Sequence, residues 1–142
     1  MRCRLVGSEM CIRDRISAAT QLVLAQRLAR RSCKDCRVPD EDVTPKVLTD
    51  LGFSPELASR VKALKGKGCP KCKDSGYKGR QGIYEILVVS KPVKEAILRQ
   101  ATTPELREIA IKEGFQTMQD MGRRLIANGE LNFREYERVL SS

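Results

Sequence analysis

Cys33-Lys34-Asp35-Cys36 and Cys69-Pro70-Lys71-Cys72 are two Cys-x-x-Cys pairs in a chain of 142 residues that contains no histidine. Residues 37–68 lie between them. A Cys-x-x-Cys turn places two sulfurs on one side of a metal ion, so two such turns complete the tetrahedral coordination that Zn²⁺ prefers. The pattern predicts a structural zinc site with Cys33, Cys36, Cys69 and Cys72 as ligands. Four protein ligands leave no open position for a catalytic water, and we predict no catalytic residue.

Two other interpretations of the cysteines stay open. In the first, the cysteines are buried apolar residues or form two disulfides. In the second, one of the pairs has a thioredoxin-like redox role. The lysine, aspartate and proline between the cysteines suit an apolar core poorly. A thioredoxin-like site needs one Cys-x-x-Cys at the start of a helix that follows a strand, rather than two matched pairs. Zinc is therefore the favoured interpretation.

Composition predicts a small core and no membrane span. The residues are 41% hydrophobic but only 4% aromatic, which indicates a thin aliphatic core in one modest domain or two small ones. A bound metal would then matter to stability. The longest apolar runs, 22–25 and 86–89, are far shorter than the roughly 20 residues that cross a bilayer.

The formal net charge of +9 raises the question of nucleic-acid binding. The basic residues cluster around both cysteine pairs: Arg27, Arg30, Arg31, Lys34 and Arg37 near the first, and Lys65, Lys67, Lys71, Lys73, Lys78 and Arg80 near the second. Tyr77 is the one aromatic residue in this cluster for base stacking, and no recognition-helix motif follows either pair. Nucleic acid is therefore not expected. A solvated basic face, or a contact with acidic protein or lipid headgroups, is at least as well supported.

Residues 1–15 differ from the rest of the chain. They carry Cys3 and Cys11 without matching partners, show neither helical nor strand periodicity, and lack the apolar stretch of a secretory signal. The string Val6-Gly-Ser-Glu-Met-Cys-Ile-Arg-Asp-Arg15 is similar to translated adapter DNA. We expect this segment to be a non-native leader.

Local signals from residue 16 onward predict strands and short helices. Residues 16–20 finish a helix, and 21–30 form a strand. Thr44-Pro45 and Ser54-Pro55 each place an N-cap residue before a proline at the first helical position, so two short helices lie between the cysteine pairs. Gly52 and Gly66 stand where these helices would stop.

A second strand is expected after the second cysteine pair. Three glycines within 74–82 predict tight turning, and 83–89 is rich in β-branched and apolar residues. If 21–30 pairs with 82–89, the zinc module is an insertion in a β-hairpin. A two-stranded ribbon is marginal in water, so further strands are expected beside it.

The last third of the sequence predicts helices. Their signals are Ser90-Lys91-Pro92 followed by Val93, Ile97 and Leu98; the capping box Thr102-x-x-Glu105 before a helix that Gly114 ends; Thr117 before Met118, Met121, Leu125 and Ile126, closed near Gly129; and Asn132-x-x-Glu135. The methionines are interpreted as core filler rather than as part of a cofactor site.

The order of these pieces resembles one family. The residues that carry the resemblance are Gln26-Arg27-Leu28-x-Arg30 before the first pair, Gly76-Tyr77-x-Gly79-Arg80-x-Gly82-Ile83-Tyr84-Glu85 after the second, Glu113-Gly114-x-x-Thr117-Met118, and the segment 129–139. The chain is similar, over residue 16 to about 140, to the C-terminal end of the secretion-type hexameric ATPases that power type IV pilus extension and type II secretion.

The resemblance implies the fold class and the domain organisation. The expected fold is a mostly helical α/β fragment, the end of a RecA-like P-loop ATPase domain with a small tetracysteine zinc-binding module inserted in a β-hairpin and a C-terminal helical bundle. The expected divisions are 1–15 for the leader, 16–32 for the end of the ATPase core, 33–73 for the tetracysteine module, 74–90 for the return strand and 91–142 for the helical subdomain.

The resemblance also implies the activity and the partners. Members of the family hydrolyse ATP as homo-hexamers at the cytoplasmic face of the inner membrane, where they contact a membrane platform protein. Their phosphate-binding loop has the pattern G-x-x-x-x-G-K-[ST], which does not occur in these 142 residues. ATP and Mg²⁺ are therefore expected only in the intact parent protein, and this chain alone is expected to be inactive. The alternative function is a stand-alone basic zinc module that binds nucleic acid or an acidic partner.

Four charged residues match family positions in the strands: Arg27, Arg30, Arg80 and Glu85. In a hexamer such arginines would face a neighbouring subunit or nucleotide phosphates. Salt bridges that secure the two-stranded ribbon are the simpler interpretation, and we favour it.

Overall fold

The computed structural model describes residues 9–140, which form a small α/β structure. The helices are α1 (Glu9–Ala19), α2 (Pro45–Asp50), α3 (Pro55–Arg60), α4 (Lys91–Leu98), α5 (Thr103–Lys112), α6 (Met118–Ala127) and α7 (Phe133–Leu140), and the strands are β1 (Leu22–Ser32), β2 (Arg37–Pro39), β3 (Leu64–Gly66) and β4 (Tyr77–Val88). Residues 1–8 of the expected leader lie outside the described part. The described residues divide into two compact units: those up to 25 with 85–116 form the first, and 26–84 with those from 117 onward form the second.

The first unit is built around helix α4. Helix α1 packs against α4, and α4 packs against α5. Val93 and Ala96 form the buried side of α4, and Ala110 is the buried residue of α5. The sequence placed the end of a helix within 16–20, and α1 ends at Ala19. Residues 9–15 show no helical periodicity, and α1 extends through them because packing against α4, rather than an amphipathic pattern of its own, stabilises this helix.

The second unit contains one apolar core. Its buried members are Ala29, Leu48, Phe53, Ala58, Ala63, Ile83, Leu125, Ile126, Leu131, Tyr136, Val139 and Leu140. Met118 and Met121 are partly buried and pack against this core, as the helical spacing of these methionines predicted. The core draws on every helix of the unit, so the short helices α2 and α3 are held by tertiary packing rather than by their own length.

Strands β1 and β4 pair with each other. The Cys33 backbone N–H donates to the Gly76 carbonyl at 2.9 Å, and the Val89 N–H donates to the Gln21 carbonyl at 2.9 Å, so the two strands run antiparallel. Tight turning was predicted across 74–82, but β4 already begins at Tyr77. Gly79 has φ +82° and lies within β4. Its left-handed backbone changes the direction of the strand locally, without forming a turn.

A second antiparallel ladder joins β2 to β3, and the sequence did not predict it. Arg37 pairs with Gly66, Val38 with Lys65, and Pro39 with Leu64. Gly66 was expected to end a helix, but α3 ends at Arg60 and Gly66 lies in β3. The glycine is required because a Cβ there would overlap the Gly76 carbonyl.

The predicted helix starts are confirmed. Thr44, Ser54, Ser90, Thr102 and Thr117 are the N-cap residues of α2 to α6. In α5, the Glu105 carboxylate accepts from the Thr102 backbone N–H at 2.8 Å. Among the described residues, no helix is both long and apolar enough to cross a bilayer.

We predict that Ile126→Ala lowers the free energy of unfolding by about 2–5 kcal/mol, because Ile126 is 0% exposed and its removal leaves a cavity in the core. Ile111→Ala is the matched control, since Ile111 lies on helix α5 with 53% exposure. Its effect is expected to stay within about 0.5 kcal/mol. Denaturant unfolding measures the stability of both variants. Equal losses of stability would contradict the burial of Ile126 in the core.

Candidate metal centre

The structure brings the sulfur atoms of Cys33, Cys36, Cys69 and Cys72 together. All four lie within 4.8 Å of one another. The Sγ–Sγ distance is 3.9 Å from Cys33 to Cys69, 3.9 Å from Cys36 to Cys72 and 3.6 Å from Cys69 to Cys72. The two pairs therefore meet as one four-sulfur cluster.

The spacing of this cluster fits a tetrahedral metal ion. A Zn–S bond of about 2.3 Å gives a sulfur tetrahedron with edges of about 3.8 Å. The observed distances match that edge, and they are far longer than the roughly 2.05 Å of a disulfide bond. All four cysteines are free. The donor set and its dimensions thus suit Zn²⁺, whose preferred ligands include four thiolates.

Short turns place the sulfurs. The residues Lys34–Cys36 and Pro70–Cys72 each form a 3-10 turn, so both cysteines of a pair point to the same side. The left-handed backbone at Lys73 (φ 52°) and Asp74 (φ 58°) then redirects the chain toward β4. Because the Cys33 N–H bonds the Gly76 carbonyl, the start of one pair is held directly beside the end of the other.

Backbone amides donate to two of the sulfurs. The Gly68 N–H donates to Cys36 Sγ at 3.4 Å, and the Cys69 N–H donates to Cys72 Sγ at 3.1 Å. Burial alone would raise the pKa of Cys72, but hydrogen bonds from Cys69 and Gly76 lower it to about 6. Burial raises the pKa of Cys36 to about 12, with the Gly68 N–H opposing that rise. The amide donors thus favour a thiolate at Cys72, whereas burial opposes one at Cys36.

An ion pair joins the two turns outside the sulfurs. Lys71 Nζ lies 2.7 Å from Asp35 Oδ1, and each residue sits inside one of the Cys-x-x-Cys pairs. The hydrogen bond from Lys71 lowers the pKa of Asp35, and that to Asp35 raises the pKa of Lys71. Both side chains are partly exposed, so this pair adds little stability but fixes one turn against the other.

A buried carboxylate on helix α7 is bonded to the strand that leads into the first cysteine pair. Glu135 is 1% exposed and accepts from the Arg30 backbone N–H at 2.8 Å, from Arg30 Nε at 3.1 Å and from Arg30 Nη2 at 2.8 Å. Arg138 also donates to it, from Nε at 3.0 Å. Burial alone would raise the pKa of Glu135, but the hydrogen bonds from Arg138 and Arg30 lower it to about 2.

Asn132-x-x-Glu135 was expected to begin the last helix, and α7 does begin there. Asn132 does cap α7, because its Oδ1 accepts from the Glu135 N–H at 2.8 Å. The Glu135 carboxylate, however, bonds the two arginines. A usable signal was present: Glu135 shares the buried side of α7 with Tyr136, Val139 and Leu140, and a charge on an apolar face needs a charged partner.

The four strand residues singled out from the sequence have different surroundings. Arg30 forms an ion pair with Glu135, but the pair ties β1 to α7 and does not secure the ribbon of β1 and β4 as expected. The Arg27 guanidinium donates to the Val139 carbonyl, also on α7. Arg80 is exposed and Glu85 is partly buried.

Fold and site together define a small α/β chain organised around a four-cysteine cluster with the donor set for a metal ion. The sequence model of the family described as "Type II/IV secretion system protein" matches residues 1–138. The chain therefore belongs to this family.

Three relatives illustrate the similarity. The type IV pilus assembly ATPase PilB of Myxococcus xanthus is 35% identical over 120 residues, which are 84% of this chain and 21% of that protein. The type IV pilus assembly ATPase PilB of Thermus thermophilus is 41% identical over 110 residues, 75% of this chain and 12% of that protein. The type II secretion system protein E of Aeromonas hydrophila is 34% identical over 125 residues, 87% of this chain and 24% of that protein. The chain thus spans less than a quarter of the length of each.

The buried position of Glu135 predicts a pH dependence. A folded-state pKa of about 2, against about 4.3 for an unfolded glutamate, means that the ionised carboxylate stabilises the fold above about pH 4.3. That contribution, of order 2 kcal/mol, is lost as the pH falls toward 2. NMR of the carboxyl carbon should show no titration of folded Glu135 above about pH 3.5. A folded-state midpoint between about 4 and 5 would contradict the buried ion pair.

Proposed function

We propose that Cys33, Cys36, Cys69 and Cys72 bind one Zn²⁺ as a structural centre. The observation that carries this proposal is the convergence of four sulfurs at the edge length of a zinc–thiolate tetrahedron. Bound zinc would join two segments of chain that residues 37–68 separate, and its binding energy would contribute directly to folding. All four coordination positions belong to the protein, so the role is structural rather than catalytic.

We predict that the purified chain contains one zinc ion and that Cys33→Ser or Cys69→Ser removes it. Each of these variants should lose at least about 3 kcal/mol of stability, because the loss of a metal is among the most destabilising changes. Metal analysis by mass spectrometry and denaturant unfolding measure the two effects.

Cys11→Ser is the matched control for this test, since it removes a cysteine that belongs to neither pair. It should keep the full zinc content. A wild-type protein without bound metal, or a Cys33→Ser variant with unchanged zinc content, would contradict the proposal.

The chain, we further propose, acts as the zinc-bearing C-terminal part of a motor ATPase for type IV pilus assembly or type II secretion. Membership of the secretion family and the names of the relatives support this role. In the intact motor, a RecA-like domain would bind ATP and Mg²⁺, and the zinc module would be an insertion in the β1–β4 hairpin. The intact motor would be a homo-hexamer at the cytoplasmic face of the inner membrane, where it would contact a platform protein.

The exposed apolar residues of β1 and β4 are evidence that further secondary structure covers these strands in the intact motor. Leu22, Val23 and Leu24 are each 51–52% exposed, although successive residues of a strand point to opposite faces. A run of apolar residues on both faces is typical of a strand covered on both sides, as in an α/β sheet. Ile86 and Val88 of β4 are also exposed. These surfaces fit the interior of a larger ATPase domain.

The alternative, a stand-alone module that binds nucleic acid, has less support. The ring of Tyr77 is stacked by the Arg30 guanidinium, with 4.2 Å from Cζ to the ring centroid. Its hydroxyl accepts from Asn132 Nδ2 at 2.8 Å. The aromatic side chain of the basic cluster is therefore already engaged and not presented for base stacking.

A pair of chimeras tests the motor role and distinguishes a pilus assembly motor from a secretion motor. Residues 16–140 replace the matching segment of PilB in Myxococcus xanthus, and separately that of the secretion protein E in Aeromonas hydrophila. If this chain is a working part of a pilus motor, the first chimera restores pilus assembly. If this chain belongs to a secretion motor, the secretion protein E chimera restores a larger share of normal secretion than the PilB chimera restores of normal pilus assembly.

Each chimera needs two controls. Protein levels must match those of the parent ATPase, and a Cys33→Ser, Cys69→Ser version should lose the restored function because the zinc centre no longer forms. Two chimeras that accumulate normally and restore neither process would overturn the motor proposal.

A further inference from the structure

Helix α7 contacts strand β1 just before the first cysteine pair. The Glu135 carboxylate receives three hydrogen bonds from Arg30, one of them from the backbone N–H. A bond to the backbone fixes the strand itself and not only a side chain. Because Glu135 is fully shielded from solvent, this contact requires α7 to be docked against β1.

The start of α7 contacts strand β4 just after the second cysteine pair. Asn132 caps the helix through Oδ1 and donates from Nδ2 to the Tyr77 hydroxyl at 2.8 Å. The Tyr77 ring lies against the Arg30 guanidinium. One asparagine thus joins the N-terminus of α7 to the strand that leaves the cysteine cluster, and Arg30 links that strand to β1.

The loop that precedes α7 makes a third link, directly beside a sulfur ligand. The Ser32 N–H donates to the Glu130 carbonyl at 2.9 Å, and Arg31 Nη2 lies 3.1 Å from Glu130 Oε2. Ser32 and Cys33 are both buried, with 1% and 0% exposure. The backbone position of Cys33 is therefore set from one side by residue 130 and from the other by the Gly76 carbonyl.

We propose that α7 and its preceding loop are a positioning element of the zinc centre, and that docking of α7 and binding of zinc favour each other. The element holds β1 and β4 in the register at which the two cysteine pairs meet. This inference rests on the zinc centre proposed above. Since the coupling is an equilibrium effect, zinc must stabilise docked α7 by the same factor by which docked α7 strengthens zinc binding.

The effect acts through preorganisation. Without α7, the two strands keep their mutual hydrogen bonds but lose the contacts at Arg30, Ser32 and Tyr77, so zinc must first order the two turns. Removing interactions that orient metal ligands from outside the coordination shell weakens metal affinity by about 10–100-fold. We expect a change of similar size here, although α7 touches none of the four sulfurs in the bonds described above.

The first experiment measures zinc affinity by competition with a chromogenic chelator. Tyr77→Phe removes only the hydroxyl that Asn132 binds, and Glu135→Gln removes the charge that holds Arg30. Asp120→Asn is the matched control, because Asp120 caps the neighbouring helix α6 through Thr117 and contacts neither β1 nor β4 in the bonds described. We expect the Kd for zinc to rise at least about 5-fold in Tyr77→Phe and about 10-fold or more in Glu135→Gln, but less than about 2-fold in Asp120→Asn.

The second experiment tests the reverse direction in the unmodified chain. Amide hydrogen exchange is compared between zinc-loaded and chelator-treated protein. Exchange across 133–140 should speed up at least about 10-fold on zinc removal, whereas exchange across 103–112 in helix α5 should change less. Equal protection of 133–140 in both forms would overturn the inference.

The outcomes separate this inference from the zinc proposal. A wild-type chain that binds no zinc contradicts the zinc centre itself. A wild-type chain that binds zinc with the same Kd as folded Tyr77→Phe and Glu135→Gln variants contradicts only the role of α7. Tyr77→Phe keeps the ring that stacks on Arg30, so it remains informative even if Glu135→Gln fails to fold.

Discussion

The convergence of four sulfurs is the constraint on which the second unit depends. Thiolates at separations of 3.6–3.9 Å repel one another strongly unless a cation lies between them. Without a cation, such a cluster stays partly protonated and holds its segments together only weakly. The ladder of β2 with β3, the short helices α2 and α3, and the return into β4 all lie between or directly after the two cysteine pairs. Closure of this cluster therefore brings the two ends of that segment together, while the apolar core holds α2 and α3.

Sequence patterns predicted those features whose cause is local. A Cys-x-x-Cys pair, an N-cap residue before proline and a capping box each act within a few residues, so the clustering of the four cysteines and the starts of α2 to α6 could be predicted. The β2–β3 ladder was missed because three-residue strands carry almost no periodicity, and the early start of β4 was missed because the glycines within 74–82 indicated turning. The pairing of these strands is determined by tertiary contacts such as the close approach of Gly66 to Gly76.

Glu135 shows how tertiary structure overrides a correct local pattern. At the third position of a helix a carboxylate can bond the N-cap amide. Two guanidinium groups and a strand amide form more and stronger bonds in a buried site, and the carboxylate takes these instead. Arg30, which supplies three of these bonds, lies 105 positions away in sequence, so no local window contains it. Only the combination of a charge with an otherwise apolar helix face pointed to such a partner.

The electrostatics of the cysteine cluster also change the meaning of the basic charge. Zn²⁺ bound by four thiolates carries two net negative charges in a largely buried position. Positive side chains nearby reduce the cost of that charge, and the sulfurs of Cys69 and Cys33, after Asp35, help to raise the pKa of Lys71. With zinc bound as proposed, part of the positive excess around the two pairs has an internal counter-charge. A basic composition near a tetrathiolate centre is therefore weaker evidence for a polyanionic partner than the same composition on a metal-free surface.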